Sequence, residues 1–167
     1  MKKETISLGG GLGDDIIHGN EGRDRLYGSN GNDKILGDSG NDILHGHAND
    51  DYLLGGDGND ILKGDGGDDA IRAGTGNDKL YGGNGNDFLF GESGRDTIYA
   101  GEGNDILIGG ANSDRLNGEG GNDIFIEIGN NGLNNVFHGG ESNEIDTLIV
   151  GSYSPYGEYQ GAPDLST

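Results

Sequence analysis

An aspartate recurs at every ninth residue, without a gap, from Asp15 to Asp123. The series is Asp15, Asp24, Asp33, Asp42, Asp51, Asp60, Asp69, Asp78, Asp87, Asp96, Asp105, Asp114 and Asp123. Two residues after each stands Ile, Leu or Phe, from Ile17 to Phe125. Rows of nine written from Gly10 to Ile126 carry this aspartate at position 6. Position 1 is Gly except for Ala73 and Ala100, and position 4 is Gly except for Asn49 and Asn112. A register held that long marks a stacked repeat and has to be read before secondary structure.

Each row divides into two parts. Positions 1 to 6 hold Gly, Asn, Asp and Ser, the residues that tolerate positive φ, and predict a tight turn. Positions 7 to 9 predict a three-residue strand with position 8 facing in and its neighbours facing out. Two rows make one coil of 18 residues, and coils stack at the strand spacing of about 4.8 Å. The expected fold is all-β: a flattened right-handed solenoid of nonapeptide repeats with two parallel sheets and two rows of turns. Four segments are expected. Residues 1–9 are an N-terminal half-coil or cap, with Leu8 inward and Ile6 where an aspartate belongs. Residues 10–126 are thirteen repeats. Residues 127–150 are two distorted capping repeats, with Phe137 inward, and 151–167 are an irregular tail.

Two inward aliphatics per coil recover only a fraction of the entropy lost on ordering its backbone. The chain also holds 30 Asp+Glu against 10 Lys+Arg, a formal charge of −20. Aspartates stacked one coil apart repel, so the fold needs a counter-charge. A cation between neighbouring turns would meet two carboxylates and several carbonyls. Such an all-oxygen site suits calcium, whose geometry is tolerant, better than magnesium. Seven turns on one side and six on the other leave room for up to about eleven ions. The acidity argues against nucleic acid as a partner, and no apolar run reaches membrane-spanning length. Cysteine is absent, which excludes disulfides and thiolate metal sites. No apolar stretch follows Met1-Lys2-Lys3-Glu4, so no cleavable signal peptide is expected.

The rows GGDGNDILK, GGNGNDFLF and AGEGNDILI resemble the repeats-in-toxin (RTX) nonapeptide GGxGxDxUx, a known calcium β-helix signature. The resemblance implies a right-handed parallel β-roll (a β-helix solenoid) with calcium ions between stacked turns, and a ligand set for each ion. One turn gives the oxygens of positions 2 and 4 with its aspartate, and the next turn on that side gives positions 1 and 3 with its own. Carried onto this chain, position 2 is Gly11, Asn20, Ser29, Asp38, His47, Gly56, Asp65, Gly74, Gly83, Glu92 and Gly101. Position 4 is Gly13, Gly22, Gly31, Gly40, Asn49, Gly58, Gly67, Gly76, Gly85, Gly94 and Gly103. Position 1 of the receiving turn is Gly28, Gly37, Gly46, Gly55, Gly64, Ala73, Gly82, Gly91, Ala100, Gly109 and Gly118. Position 3 there is Asn30, Ser39, Ala48, Asp57, Gly66, Thr75, Asn84, Ser93, Glu102, Ala111 and Gly120. The family further implies a secreted, extracellular bacterial protein, exported unfolded by type I secretion and folded by calcium outside, often with a secretion signal near the C-terminus. Arg23 and Arg95 depart from the pattern at position 5 and are expected to cover the outside of a turn. Asn49 and Asn112 keep the turn carbonyl.

The two outward faces differ. One gathers Phe88, Phe90, Ile106, Ile108, Ile124 and Ile126 in three adjacent coils, a patch that the tail or a second chain is expected to cover. No H-E-x-x-H, no G-x-S-x-G and no EF-hand loop occurs, so no enzyme is expected and no catalytic residue is assigned. His45 and His47, one residue apart at a strand end, read as surface residues. The expected role is a calcium-triggered folding module. Two rival classes stay open: an adhesin segment or polysaccharide-binding module using Tyr81 and Tyr99, and the accessory domain of a secreted hydrolase.

Overall fold

The computed structural model describes residues 5–128, 135–140 and 146–151. Each stretch after a position-6 aspartate forms a strand, and most of these strands run on through positions 1 to 3 of the following row. The strands are β1 (Ser7–Leu12), β2 (Ile16–His18), β3 (Glu21–Gly22), β4 (Arg25–Asn30), β5 (Lys34–Gly40) and β6 (Ile43–Ala48). Next come β7 (Tyr52–Asp57), β8 (Ile61–Gly66), β9 (Ala70–Thr75), β10 (Lys79–Asn84), β11 (Phe88–Ser93) and β12 (Thr97–Glu102). The series ends with β13 (Ile106–Ala111), β14 (Arg115–Gly120), β15 (Ile124–Ile128), β16 (Val136–Gly140) and β17 (Thr147–Gly151).

Most strands are thus six residues long, twice the expected three. Positions 2 and 3 also pair with neighbouring coils, as in Gly83↔Gly101 and Asn84↔Glu102, because their peptide groups gain ladder hydrogen bonds there. Only positions 4 to 6 remain as the connection.

All pairings are parallel, and most link residues 18 apart, such as Leu80↔Ile98 and Leu89↔Leu107. One sheet runs β1-β4-β6-β8-β10-β12-β14-β16 and the other β17-β15-β13-β11-β9-β7-β5-β2, with β3 pairing β5. Alternate rows therefore build opposite walls of a parallel β-roll of about seven turns. The described residues contain strands and no helix long and apolar enough to cross a membrane.

Between the walls lies a double file of position-8 side chains, from Ile17 through Leu26, Leu62 and Leu107 to Phe125, almost all fully buried. Ala73 and Ala100 join this core from position 1. At the N-terminal end Leu8 pairs with Leu26 but is 44% exposed, contrary to the inward placement expected for it, and Ile6 packs against the core instead. At the other end Phe137 packs edge-on against Phe125, with rings 5.7 Å apart. Leu148 pairs with Phe125 and is half exposed, because no described coil follows it.

On the outer face of the second sheet Ile108 is buried, Phe90, Ile106, Ile124 and Ile126 are half-buried, and Phe88 is 38% exposed. Flanking strands shield part of this patch, since Ile108 lies between Phe90 and Ile126 in the ladder. The tail expected to cover it, and to carry a secretion signal, lies outside the described residues beyond Gly151. So does most of the long turn before β16, at 129–134, and that before Asp146, at 141–145.

Turn glycines are tested most sharply at position 4. Gly58 has φ +136°, and a Cβ there would fall inside the Gly40 carbonyl oxygen of the preceding coil. Gly13 also has positive φ, at +93°, but a Cβ there meets nothing within 4 Å. We therefore expect Gly58→Ala to cost at least about 3 kcal/mol, strain and overlap together. Gly13→Ala should cost only about 1–2 kcal/mol. Thermal melts of both variants in saturating calcium check the difference; equal losses would refute the tight coil contact.

Candidate functional site

The position-6 aspartates stand where each strand begins, and the strand register stacks them in two files. Twelve of the thirteen, Asp24 to Asp123, are at least 97% buried, and Asp15 at the open N-terminal end is half-buried. Within a file the main-chain N–H of one aspartate donates to Oδ1 of the aspartate in the next coil. The links are 2.7–2.9 Å long from Asp24 through Asp42, Asp60, Asp78 and Asp96 to Asp114. The second file runs from Asp15 through Asp33, Asp51, Asp69, Asp87 and Asp105 to Asp123 in the same way.

Both files extend past the regular repeat. Ile6 N–H donates to Asp24 Oδ1 at 2.7 Å, so the backbone of Ile6 takes an aspartate's place. At the other end Asp114 N–H donates to Asn135 Oδ1 at 2.8 Å, and Asp123 N–H to Asp146 Oδ1 at 3.0 Å. The residues bridged are 21 and 23 apart. Sequence reasoning passed over Asn135 and Asp146 as members of the files because the nine-residue count fails there. The usable signal was local: each directly precedes a stretch with an apolar residue two places on, Phe137 or Leu148.

The second carboxylate oxygen is the telling atom. In Asp15, Asp24, Asp33, Asp42, Asp51, Asp60, Asp69, Asp78, Asp87, Asp96, Asp105 and Asp114, Oδ2 is buried and accepts no hydrogen bond. It points into its own turn: a Cβ on Gly55 would lie 2.6 Å from Asp60 Oδ2, and one on Gly37 2.8 Å from Asp42 Oδ2. A buried, ionised and unpartnered oxygen is costly, and a dozen in two files is not a packing accident.

The carboxyl groups respond accordingly. Burial away from water pushes Asp60, Asp69, Asp96 and Asp105 up to about 7 and Asp51, Asp78, Asp87 and Asp114 up to about 6. Asp42 is raised for the same reason. The Oδ1 hydrogen bond opposes the rise, and neighbouring aspartates add to it in several of these groups.

Main-chain carbonyls converge on the same gaps. Those of positions 2 and 4 point forward, so that Asp38 O and Gly40 O crowd where a Cβ would stand on Gly56 and Gly58. Those of positions 1 and 3 point back. Gly55 O lies 2.5 Å from where a Cβ would stand on Gly37, and Thr75 O accepts from Gly58 N–H at 2.8 Å. All thirteen residues at position 2 and all thirteen at position 4 have positive φ, including Asn20, Asp38, His47, Asn49 and Asn112. The departures from glycine therefore keep the turn.

A third feature escaped the sequence reading. Position-5 side chains form an outer ladder: Asn41 Oδ1 accepts from Asn59 N–H, Asn59 Oδ1 from Asn77 N–H, and Asn77 Oδ1 from Arg95 N–H, at 2.7–3.0 Å. Asn and Asp at that position link turns from outside. Arg23 and Arg95 are exposed there.

Fold and site together define a class: a parallel β-roll whose turns present buried carboxylate and carbonyl oxygens, and no nitrogen or sulfur, to a hard cation. The family model for the RTX calcium-binding nonapeptide repeat (4 copies) matches residues 9–44, 27–62, 63–98 and 90–125. The chain belongs to this RTX family, whose repeats bind calcium. No curated protein matches it.

Proposed function

We propose that this chain is a calcium-triggered folding module of a protein exported unfolded by type I secretion. Its role is structural: calcium supplies the cohesion, and no residue is assigned to catalysis. The observation carrying the reading is the double file of buried aspartates with unpartnered Oδ2 atoms. Only a bound cation or protonation relieves twelve such atoms, and at neutral pH the cation is the effective one.

A middle site would be held by the carbonyls of Asp38 and Gly40, the carboxylates of Asp42 and Asp60, and the carbonyls of Gly55 and Asp57. The forward direction of the first two carbonyls and the backward direction of Gly55 O support this set. Calcium, when bound, supplies positive charge between turns. The residues supply the oxygen cage, which the sheet ladder holds in place once the coils have stacked. The same pattern gives up to about eleven ions, two per coil. Residues 1–9 serve as the N-terminal cap, and 127–150 close the stack, with Asn135 and Asp146 continuing the two files. Calcium-poor cytosol would keep the chain unfolded for export, and calcium outside would fold it.

Native mass spectrometry tests the site assignment. Wild-type chain should carry about eleven calcium ions. Asp60→Ala, which removes a carboxylate shared by two gaps, should lose one or two of them and need more calcium to fold. A full ion count in the variant would refute the role given to these aspartates.

A further inference from the structure

We propose a second metal site, for a borderline divalent ion such as zinc, formed by His45, His47 and Asp65 on the outer face of the first sheet. His45 and His47 flank inward-facing Gly46, so strand alternation turns both imidazoles outward. Asp65 lies one coil on, directly opposite His47 in the β6–β8 register. His45 Nδ1 stands 3.3 Å and His47 Nδ1 3.6 Å from the same oxygen, Asp65 Oδ2. Ligand atoms of the three side chains all lie within 4.8 Å of one another. Donors bound to zinc at about 2.0–2.1 Å in a tetrahedron are spaced by about 3.4 Å, so the cluster already has nearly the required span.

The surroundings hold this geometry. Positive φ at His47 (82°) and Asp65 (75°) fixes both backbones in the turn conformation. Tyr27 of the preceding coil stacks on both imidazoles, with ring centres 5.5 and 6.1 Å away, and the two imidazoles stack on each other at 5.4 Å. Lys63, opposite His45 in the register, directs its ammonium to the next coil, 5.6 Å from the ring centre of Tyr81. Two nitrogens and one oxygen with an open fourth position, for water, favour zinc or copper over calcium. The site spans two coils, so an ion there ties them together. The buried aspartates take no part in it.

Calorimetric titration with zinc chloride, in saturating calcium so that the coils are stacked, tests the proposal. Wild-type chain should take up about one zinc ion beyond any held by the turns. His45→Ala and His47→Asn should each weaken that binding by at least about tenfold. Asn is chosen at 47 because it tolerates positive φ, and circular dichroism in calcium verifies folding. His18→Ala, removing the separate His18–Asp38 pair, should leave zinc binding unchanged. Electron paramagnetic resonance of one added copper(II) should show coupling to two imidazole nitrogens in wild type, which needs no variant. Undiminished zinc binding in the His45→Ala, His47→Asn double variant, or a copper spectrum without nitrogen coupling, overturns the assignment.

Discussion

Chelating calcium at pH 7.5 should abolish the strand signal in circular dichroism, and adding it back should restore the signal in one steep step at about 10⁻⁴–10⁻³ M calcium. The size of this effect follows from the interior. Each coil offers two aliphatic side chains, for example Leu53 and Leu62, against 18 residues to be ordered, and it also buries two aspartates. At neutral pH those carboxylates ionise in the unfolded chain, and folding without a counter-ion must either bury the charge or take up a proton. Either route is unfavourable, and the formal charge of −20 adds repulsion across the whole surface. Steepness follows from the stack. Each aspartate borders two gaps and each gap needs two turns, so a filled gap orders the turn that the next one uses. Sedimentation should report the same transition as a compaction. Full strand content in excess chelator at this pH would remove the basis for the calcium-driven reading.

The features read correctly from the sequence are those with a period of nine. Asp at position 6 and an aliphatic at position 8 make both the buried files and the core visible as spacing, because every coil repeats the same environment. Strand length was read short because glycine and asparagine at positions 1 to 3 signal a turn. In the structure these residues pair along the sheet while keeping positive φ at position 2. Asn135 and Asp146 escaped because longer connections precede them, and only the hydrogen bonds from Asp114 and Asp123 place them in the files. The position-5 ladder escaped for a different reason: a run of Asn and Asp reads as ordinary turn chemistry until stacking sets Asn41, Asn59 and Asn77 above one another. Likewise His45 and His47 were visible as a pair, but Asp65 joins them only through a register 18 residues long.

Acid should do part of calcium's work. In the calcium-free fold, burial raises eight of the position-6 aspartates to about 6 or 7, against an ordinary value of 3.8. A group raised on folding favours the fold most when protonated in both states. Its contribution is therefore complete below 3.8 and is lost as pH rises through 6 to 7. One pKa unit corresponds to about 1.4 kcal/mol per group, and all these groups move in the same direction. In excess chelator the chain should thus be more strongly folded at pH 5 than at pH 7.5, with strand signal rising as pH falls between 7 and 5. With calcium present the sign reverses, because protons compete for the oxygens that hold the ion, and lowering the pH should raise the calcium needed for folding. Sedimentation at each pH separates folding from association as the chain nears its isoelectric point of about 4.1. If chelated chain were equally unfolded at pH 5 and 7.5, the stacked carboxylates would not be the groups that hold the calcium-free coils apart.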